Sequence, residues 1–224
     1  MIVPIVEGDG EVQAVPLLLR RLLEERRAWD ARVARPRNAG GITKLARDAR
    51  QVERFLRYAV KEPGASAILV LVDADADCPL QRALLFAMCA EGTGLRLPVA
   101  VVVAKCEYEA WFLASAETLA GRPLKSKGQH DRSGIVAGTV FEGDPEGVRN
   151  AKGMLSDMMP ANCAYKETLD QAPLTEAMDL ALVRARCRSF RRVDSAVAFL
   201  VEQIRAGGRA VSPSTEALRQ RLWQ

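Results

Sequence analysis

Three short stretches hold most of the groups able to do chemistry. The chain opens "MIVPIVEGDGE", where an apolar run leads into Glu7, Asp9 and Glu11, interleaved with Gly8 and Gly10 and with no basic residue before Arg20. "AILVLVDADADCP" repeats the pattern, an apolar run ending in Asp73, Asp75 and Asp77. "LPVAVVVAKCEYEAWF" does so again, with Lys105, Glu107 and Glu109. Carboxylates pressed together repel one another and resist ionisation unless a cation compensates. Hard oxygen ligands of this kind select Mg²⁺ or Mn²⁺ over zinc. Residues two apart in extended chain project to the same side, so Asp73 and Asp75 can aim at one point. Gly8 and Gly10 let a backbone or phosphate come close. Each motif alone has a plainer reading, since Asp-x-Asp is common in turns and acids suit the first turn of a helix. Recurrence at successive strand ends is what points to a metal site.

The elements that must position these groups follow from periodicity. Residues 2–6 read as a short buried strand. Residues 12–28 have helical spacing, with Val15, Leu18, Leu19, Leu22 and Leu23 on one side. Pro16 fits there only if the helix begins near it. "ARVARPRNAGG" offers a second, more polar strand and a turn. A helix is expected over 42–62, with Leu45, Ala49, Val52, Leu56 and Ala59 on an apolar face, ended by Pro63-Gly64. Its opposite face carries Arg47, Arg50, Arg54, Arg57 and Lys61, either a solvated surface or a rail for nucleic-acid phosphates. Residues 67–72 and "LPVAVVVA" read as central strands of a parallel sheet. A helix over 79–91 separates them, and "YEAWFLASAETLA" begins another at once. Trp111 and Phe112 are expected to pack that helix on the sheet rather than to stack a base.

This alternation predicts an α/β fold: an open, mainly parallel sheet flanked by helices over residues 1–120. In such a sheet the carboxyl ends of the strands converge on one edge, where ligands bind. Residues 121–145 read as a loop or linker. Residues 146–224 read as a helical extension packed on the same domain, with helices over 146–158, 174–187, 190–206 and 214–223.

Composition bounds the function. At 224 residues and 49% hydrophobic, the chain can bury a sizeable core. No apolar run approaches the roughly 20 residues that span a bilayer, so no membrane partner is expected. The N-terminus lacks signal-peptide character, which leads us to expect a cytoplasmic protein. Cys78, Cys89, Cys106, Cys163 and Cys187 form no C-x-x-C pair, so neither a disulfide framework nor a zinc site is indicated. The single histidine, His130, reads as a loop residue. Net charge is only +4, yet between Arg20 and Lys61 there are 13 Lys or Arg against 5 Asp or Glu. Basic surface beside a carboxylate cluster suits a metal-using, phosphate-processing site. The chain has no G-x-x-x-x-G-K-[ST], G-x-G-x-x-G or G-x-S-x-G, which disfavours a P-loop hydrolase, dinucleotide binding and a serine hydrolase.

At the acidic residues the sequence resembles the Toprim fold of topoisomerases, primases and OLD-type nucleases. Glu7-Gly8 matches that family's strand-end Glu-Gly, Asp73-Ala74-Asp75 its Asp-x-Asp, and Glu7 with Glu11 the E-G-x-x-E of the OLD type. From end to end the chain resembles a Toprim-like group, domain-of-unknown-function family 4276, through "VEGDGEVQAVPLLLRRL", "VDADADCP", "EYEAWFLA" and "YKETLDQAPLTEAMDLALVRARCRSFRRV". The resemblance implies that Glu7 is a general acid/base or metal ligand and that Asp73 and Asp75 hold Mg²⁺. It further implies that Glu11 with Glu107 or Glu109 completes a second metal position. Lys105 would either stabilise developing phosphate charge or pair with the neighbouring acids. Tyr58, Tyr108 and Tyr165 sit in no recognisable topoisomerase cleavage context, and a primase needs parts that a chain this short lacks.

Hydrolytic cleavage is the Toprim activity that fits this length. The expectation is therefore a Mg²⁺- or Mn²⁺-dependent nuclease, its nucleic-acid substrate tracked by the basic helix and by Arg188, Arg191 and Arg192 of "RARCRSFRR". By analogy it would work beside an ATPase partner in defence against phage. The alternatives are a non-catalytic regulatory subunit of an ATPase complex, and a phosphatase or nucleotide hydrolase using the same metal chemistry.

Overall fold

Three strands that are apolar along almost their whole length can only be buried on both faces, and they form the middle of the sheet. The computed structural model describes residues 1–40, 49–124 and 132–222. The central strands are β1 (Ile2–Val6), β3 (Ala67–Asp73) and β4 (Val99–Ala104), buried at every position. Two two-residue strands flank them, β2 (Arg37–Asn38) beside β1 and β5 (Val211–Ser212) beside β4. All pairs are parallel, in the order β2-β1-β3-β4-β5. The registers Ile2↔Ala67 and Asp73↔Ala104 bring the ends of β1, β3 and β4 to one edge.

Ten α-helices are described: α1 (Asp9–Glu25), α2 (Ala49–Val60), α3 (Pro79–Gly92), α4 (Ala110–Leu113), α5 (Ala116–Leu119), α6 (Ala151–Asp157), α7 (Glu167–Ala177), α8 (Leu180–Arg186), α9 (Arg188–Ala206) and α10 (Thr215–Leu222). Side chains alternate along each strand, and two cores result. Val6, Leu69, Leu71 and Val102 face α1, α4 and α9. Ile5, Val70, Val72, Val101 and Val103 face α2 and α3. Trp111 and Phe112 are fully buried, and Trp111 Nε1 donates to Ser189 Oγ at 2.9 Å, so these rings pack the core as expected.

The structure corrects several expectations. Helix α1 starts at Asp9 and runs through Pro16 instead of starting beside it. The Glu11 carboxylate accepts from the Glu7 and Gly8 amides at 2.7 and 2.9 Å, a capping arrangement that fixes the first turn. Burial of Val15, Leu18, Leu19 and Leu22 then offsets the hydrogen bond that Pro16 cannot make. "YEAWFLASAETLA" forms two single-turn helices, not one. The C-terminal part is helical but also returns β5 to the sheet edge. Of the helix expected over 42–62, the first turns with Leu45 and Arg47 lie outside the described residues, as does His130.

Helix α7 is what brings the C-terminal part to the sheet edge. It packs along α1, where Gly10 faces Glu167 and Gln171. A Cβ added at Gly10 would overlap Gln171 Oε1 and lie 2.9 Å from the Glu167 carbonyl oxygen. The absence of a side chain at Gly10 is what lets the two helices approach so closely.

Candidate active site at the carboxyl edge of the sheet

Where β1, β3 and β4 end, a cavity of about 370 Å³ is lined by Glu7, Glu11, Asp73, Asp75, Glu109 and Lys152, with Glu167 and Gln171 from α7. Asp73 is 8% exposed; its Oδ1 accepts from the Tyr108 amide at 2.9 Å, and its own amide donates to Glu7 Oε2 at 3.3 Å. Glu109 is 1% exposed and accepts from the Tyr165 hydroxyl at 2.8 Å. Two carboxylate oxygens here, Glu11 Oε1 and Glu109 Oε2, are buried without a hydrogen-bond partner. Unpaired buried oxygens of charged groups cost several kcal/mol, at roughly 1–3 kcal/mol or more each.

Asp75 sits differently from Asp73. Its φ of +50° takes it out of the extended conformation, and its side chain is 51% exposed, 3.7 Å from Arg82 Nη2. The main chain holds this turn in place, because the Ala74 amide donates to Ala104 O and the Asp75 amide to Cys106 O, both at 2.8 Å. Arg82 is buried and braces the same turn, donating to the Asp73 carbonyl at 2.9 Å and to Asp77 at 2.7 Å.

The electrostatics follow from crowding. Burial, then repulsion from Glu11, Glu109 and Glu7, carries the Asp73 carboxyl well above its ordinary range, and Lys152 opposes this. Burial pushes Glu11 up to about 8, against the pull of the Gly8 and Glu7 amides and with added repulsion from Glu7 and Glu109. Burial pushes Glu109 up to about 7, although Lys152 and the Tyr165 hydroxyl draw it down. Burial lowers the Lys152 ammonium, but Glu109, its hydrogen bond to Glu167 and Asp73 outweigh this and hold it above its usual value. Lys152 lies 2.6 Å from Glu167. The carboxyls cannot all ionise here without more positive charge than Lys152 supplies.

That donor set suits a hard divalent cation, being all oxygen, with two carboxylate oxygens and the Gln171 amide oxygen lacking any partner. The side chains ring the cavity instead of converging: among the described residues no three His, Cys, Asp or Glu side chains are gathered into a group that could hold a metal ion.

Other expected site residues land elsewhere. Glu107 accepts from the Lys152 amide at 3.1 Å, at the start of α6, so Glu109 is the one of the pair that lines the cavity. Lys105 lies 3.7 Å from Asp144 and lines a second cavity, together with Arg188 and Arg192. Arg191 donates to the carbonyls of Arg184 and Ala185, closing the end of α8. Arg50, Arg54, Arg57 and Lys61 are exposed, opposite the buried Val52, Leu56 and Ala59. Reasoning from strand ends missed Lys152, Glu167 and Gln171, which reach the cavity through long-range packing, and Tyr165, which donates to Glu109. The one local signal was the i, i+4 spacing of Glu167 and Gln171, which sets both on one face of α7.

No curated protein and no solved structure matches the chain. The model of the family described as domain of unknown function (DUF4276) matches residues 6–196, most of the sequence and every residue lining the carboxylate cavity, and the chain belongs to that family.

Proposed function

We propose that the chain is a divalent-metal-dependent nuclease of the Toprim type, hydrolysing phosphodiester bonds at the carboxylate cavity. One observation carries the reading: Glu7, Glu11, Asp73 and Glu109 crowd a single cavity at the carboxyl edge of a parallel sheet, with two of their oxygens unpartnered. Asp73, Glu109 and Glu11, which ring the cavity apart from one another, would draw together to hold Mg²⁺ or Mn²⁺, with Glu7 and Asp75 beside them. A cation there would supply the charge that polarises a phosphate oxygen and acidifies water.

The chain's own groups then have distinct tasks. Glu11 keeps one oxygen on the Glu7 and Gly8 amides, so its other oxygen is fixed in direction. Tyr165 and the Tyr108 amide orient Glu109 and Asp73 in the same way. Glu7, at the end of β1, is the group to take a proton from water. The Lys152 ammonium lies beside the cavity to offset negative charge on the scissile phosphate. The exposed Arg50, Arg54, Arg57 and Lys61 supply a basic face for the phosphate backbone of a nucleic acid. Work beside an ATPase in phage defence is part of this proposal by analogy alone.

The test is cleavage of labelled single- and double-stranded DNA and of RNA, in Mg²⁺, Mn²⁺ or EDTA, by the wild type and by Asp73→Asn. Cleavage that needs metal and disappears in the variant supports the nuclease. Cleavage by neither protein, with both folded, overturns catalysis and leaves a regulatory subunit as the reading.

A further inference from the structure

A second cavity, of about 330 Å³, opens beside the end of β4. Its size falls within the ~300–1,000 Å³ typical of small-molecule sites. The floor is apolar, with Pro79, Leu80 and Leu218 beside Val101 and Val103, which share one face of β4. The rim is cationic: Lys105, Arg188, Arg192 and Arg221. Arg188 and Arg192 are four residues apart on α9 and so share one face of it, while Arg221 comes from α10.

Little in the wall offsets that charge. Glu146 lines the cavity, but its two oxygens accept from the Arg188 and Ser189 amides at 2.8 and 2.7 Å, where they cap the start of α9. Lys105 has Asp144 at 3.7 Å. Arg192 Nη2 is buried with no hydrogen-bond partner. Burial, and then the charge of Arg221, both disfavour the Arg192 cation as the chain stands. Three guanidinium groups lining one cavity are matched to the oxygens of a phosphate, which such groups bind in a fixed geometry. Phosphate alone would leave the apolar lining at Pro79 and Leu80 bare.

We infer that this cavity binds a mononucleotide, with its phosphate on Arg188, Arg192 and Arg221 and its base laid on the apolar lining at Pro79 and Leu80. The inference does not depend on the carboxylate cavity, whose lining shares no residue with this one. Lys105 therefore belongs to the nucleotide site, while Glu109, four residues on, belongs to the carboxylate site.

Isothermal titration in EDTA tests it, with AMP, GMP, CMP, inorganic phosphate, adenosine and a short 5′-phosphorylated oligonucleotide as probes. A mononucleotide is expected to bind saturably, one per chain, with phosphate and nucleoside each weaker by about tenfold or more. Arg192→Gln and Arg221→Gln, checked for folding by circular dichroism, each weaken binding by about tenfold or more, the loss expected of one charge-assisted hydrogen bond. Asp73→Asn binds as the wild type does, which separates this site from the carboxylate cavity. No saturable mononucleotide binding, or equal binding by both arginine variants and the wild type, overturns the inference. Phosphate binding as tightly as AMP makes the cavity an oxyanion site only. Tighter binding of the oligonucleotide than of any mononucleotide reassigns it to a strand end.

Discussion

Replacing Glu11 by glutamine takes one negative charge out of the buried set while keeping the helix cap. The amide oxygen can still accept from the Glu7 and Gly8 amides, and the new NH₂ takes the place of the unpartnered Oε1. In the metal-free wild type the Glu11 carboxyl is raised from an ordinary 4.5 to about 8, chiefly by burial. Across that window the folded chain keeps a proton that the unfolded chain releases. The stability this group contributes is therefore fully present below the unfolded value and is lost as pH rises toward the folded one. Each unit is worth about 1.4 kcal/mol, so by pH 7 the loss is on the order of 3 kcal/mol. Urea denaturation in EDTA reads the difference directly. Glu11→Gln is expected to be more stable than the wild type by about 2–3 kcal/mol at pH 7 and nearly equal to it at pH 5. Adding Mn²⁺ should stabilise the wild type more than the variant, because only the wild type gains a compensated carboxylate. The same pH dependence in both proteins, or a less stable variant at pH 7, would refute the claim that Glu11 is buried among like charges.

Gly10→Ala places a Cβ against Gln171 and the Glu167 carbonyl and should destabilise the fold by about 1–3 kcal/mol, measured by chemical denaturation. Lys152→Met removes the ammonium that holds down Asp73 and Glu109; metal-dependent cleavage should fall by about 10²-fold. The acidic limb of the pH–rate profile of that variant should also move to higher pH, as the carboxyls lose the cation that favours their ionised form, whereas a residue serving only to pack α6 would leave the profile in place. Changing Arg50, Arg54, Arg57 and Lys61 together to glutamine should cut the salt dependence of DNA binding, lowering the slope of log K against log salt by about 3 in anisotropy titrations. An unchanged slope would leave α2 as an ordinary solvated face.

The central strands and their acids were legible because burial on both faces demands unbroken apolar runs, and the residues just beyond them must sit at the sheet edge. That logic placed Glu7, Asp73 and Asp75 at one cavity. It did not settle the stretch after β4, because the chain leaves the strand through Cys106 at φ +62°. From there Lys105 goes to one cavity, Glu107 to the start of α6 and Glu109 to the other cavity, a divergence that residue spacing does not encode. Strand β5 went unrecognised because two residues carry no alternation to detect. Pro16 misled because local propensity was outweighed by the Glu11 cap and the burial of α1. Lys152, Glu167 and Tyr165 depend on how the helical extension docks, which no local pattern reports.

The proposed nuclease needs a cation to join the crowded carboxylates, and Mn²⁺ binding tests this most directly. Free Mn²⁺ can be followed by electron paramagnetic resonance during titration of the wild type and of the double variant Asp73→Asn/Glu109→Gln. Saturable binding of one or two ions per wild-type chain, lost in the folded double variant, is the predicted result. Binding that survives in the double variant, or no binding by the wild type, would contradict the metal site.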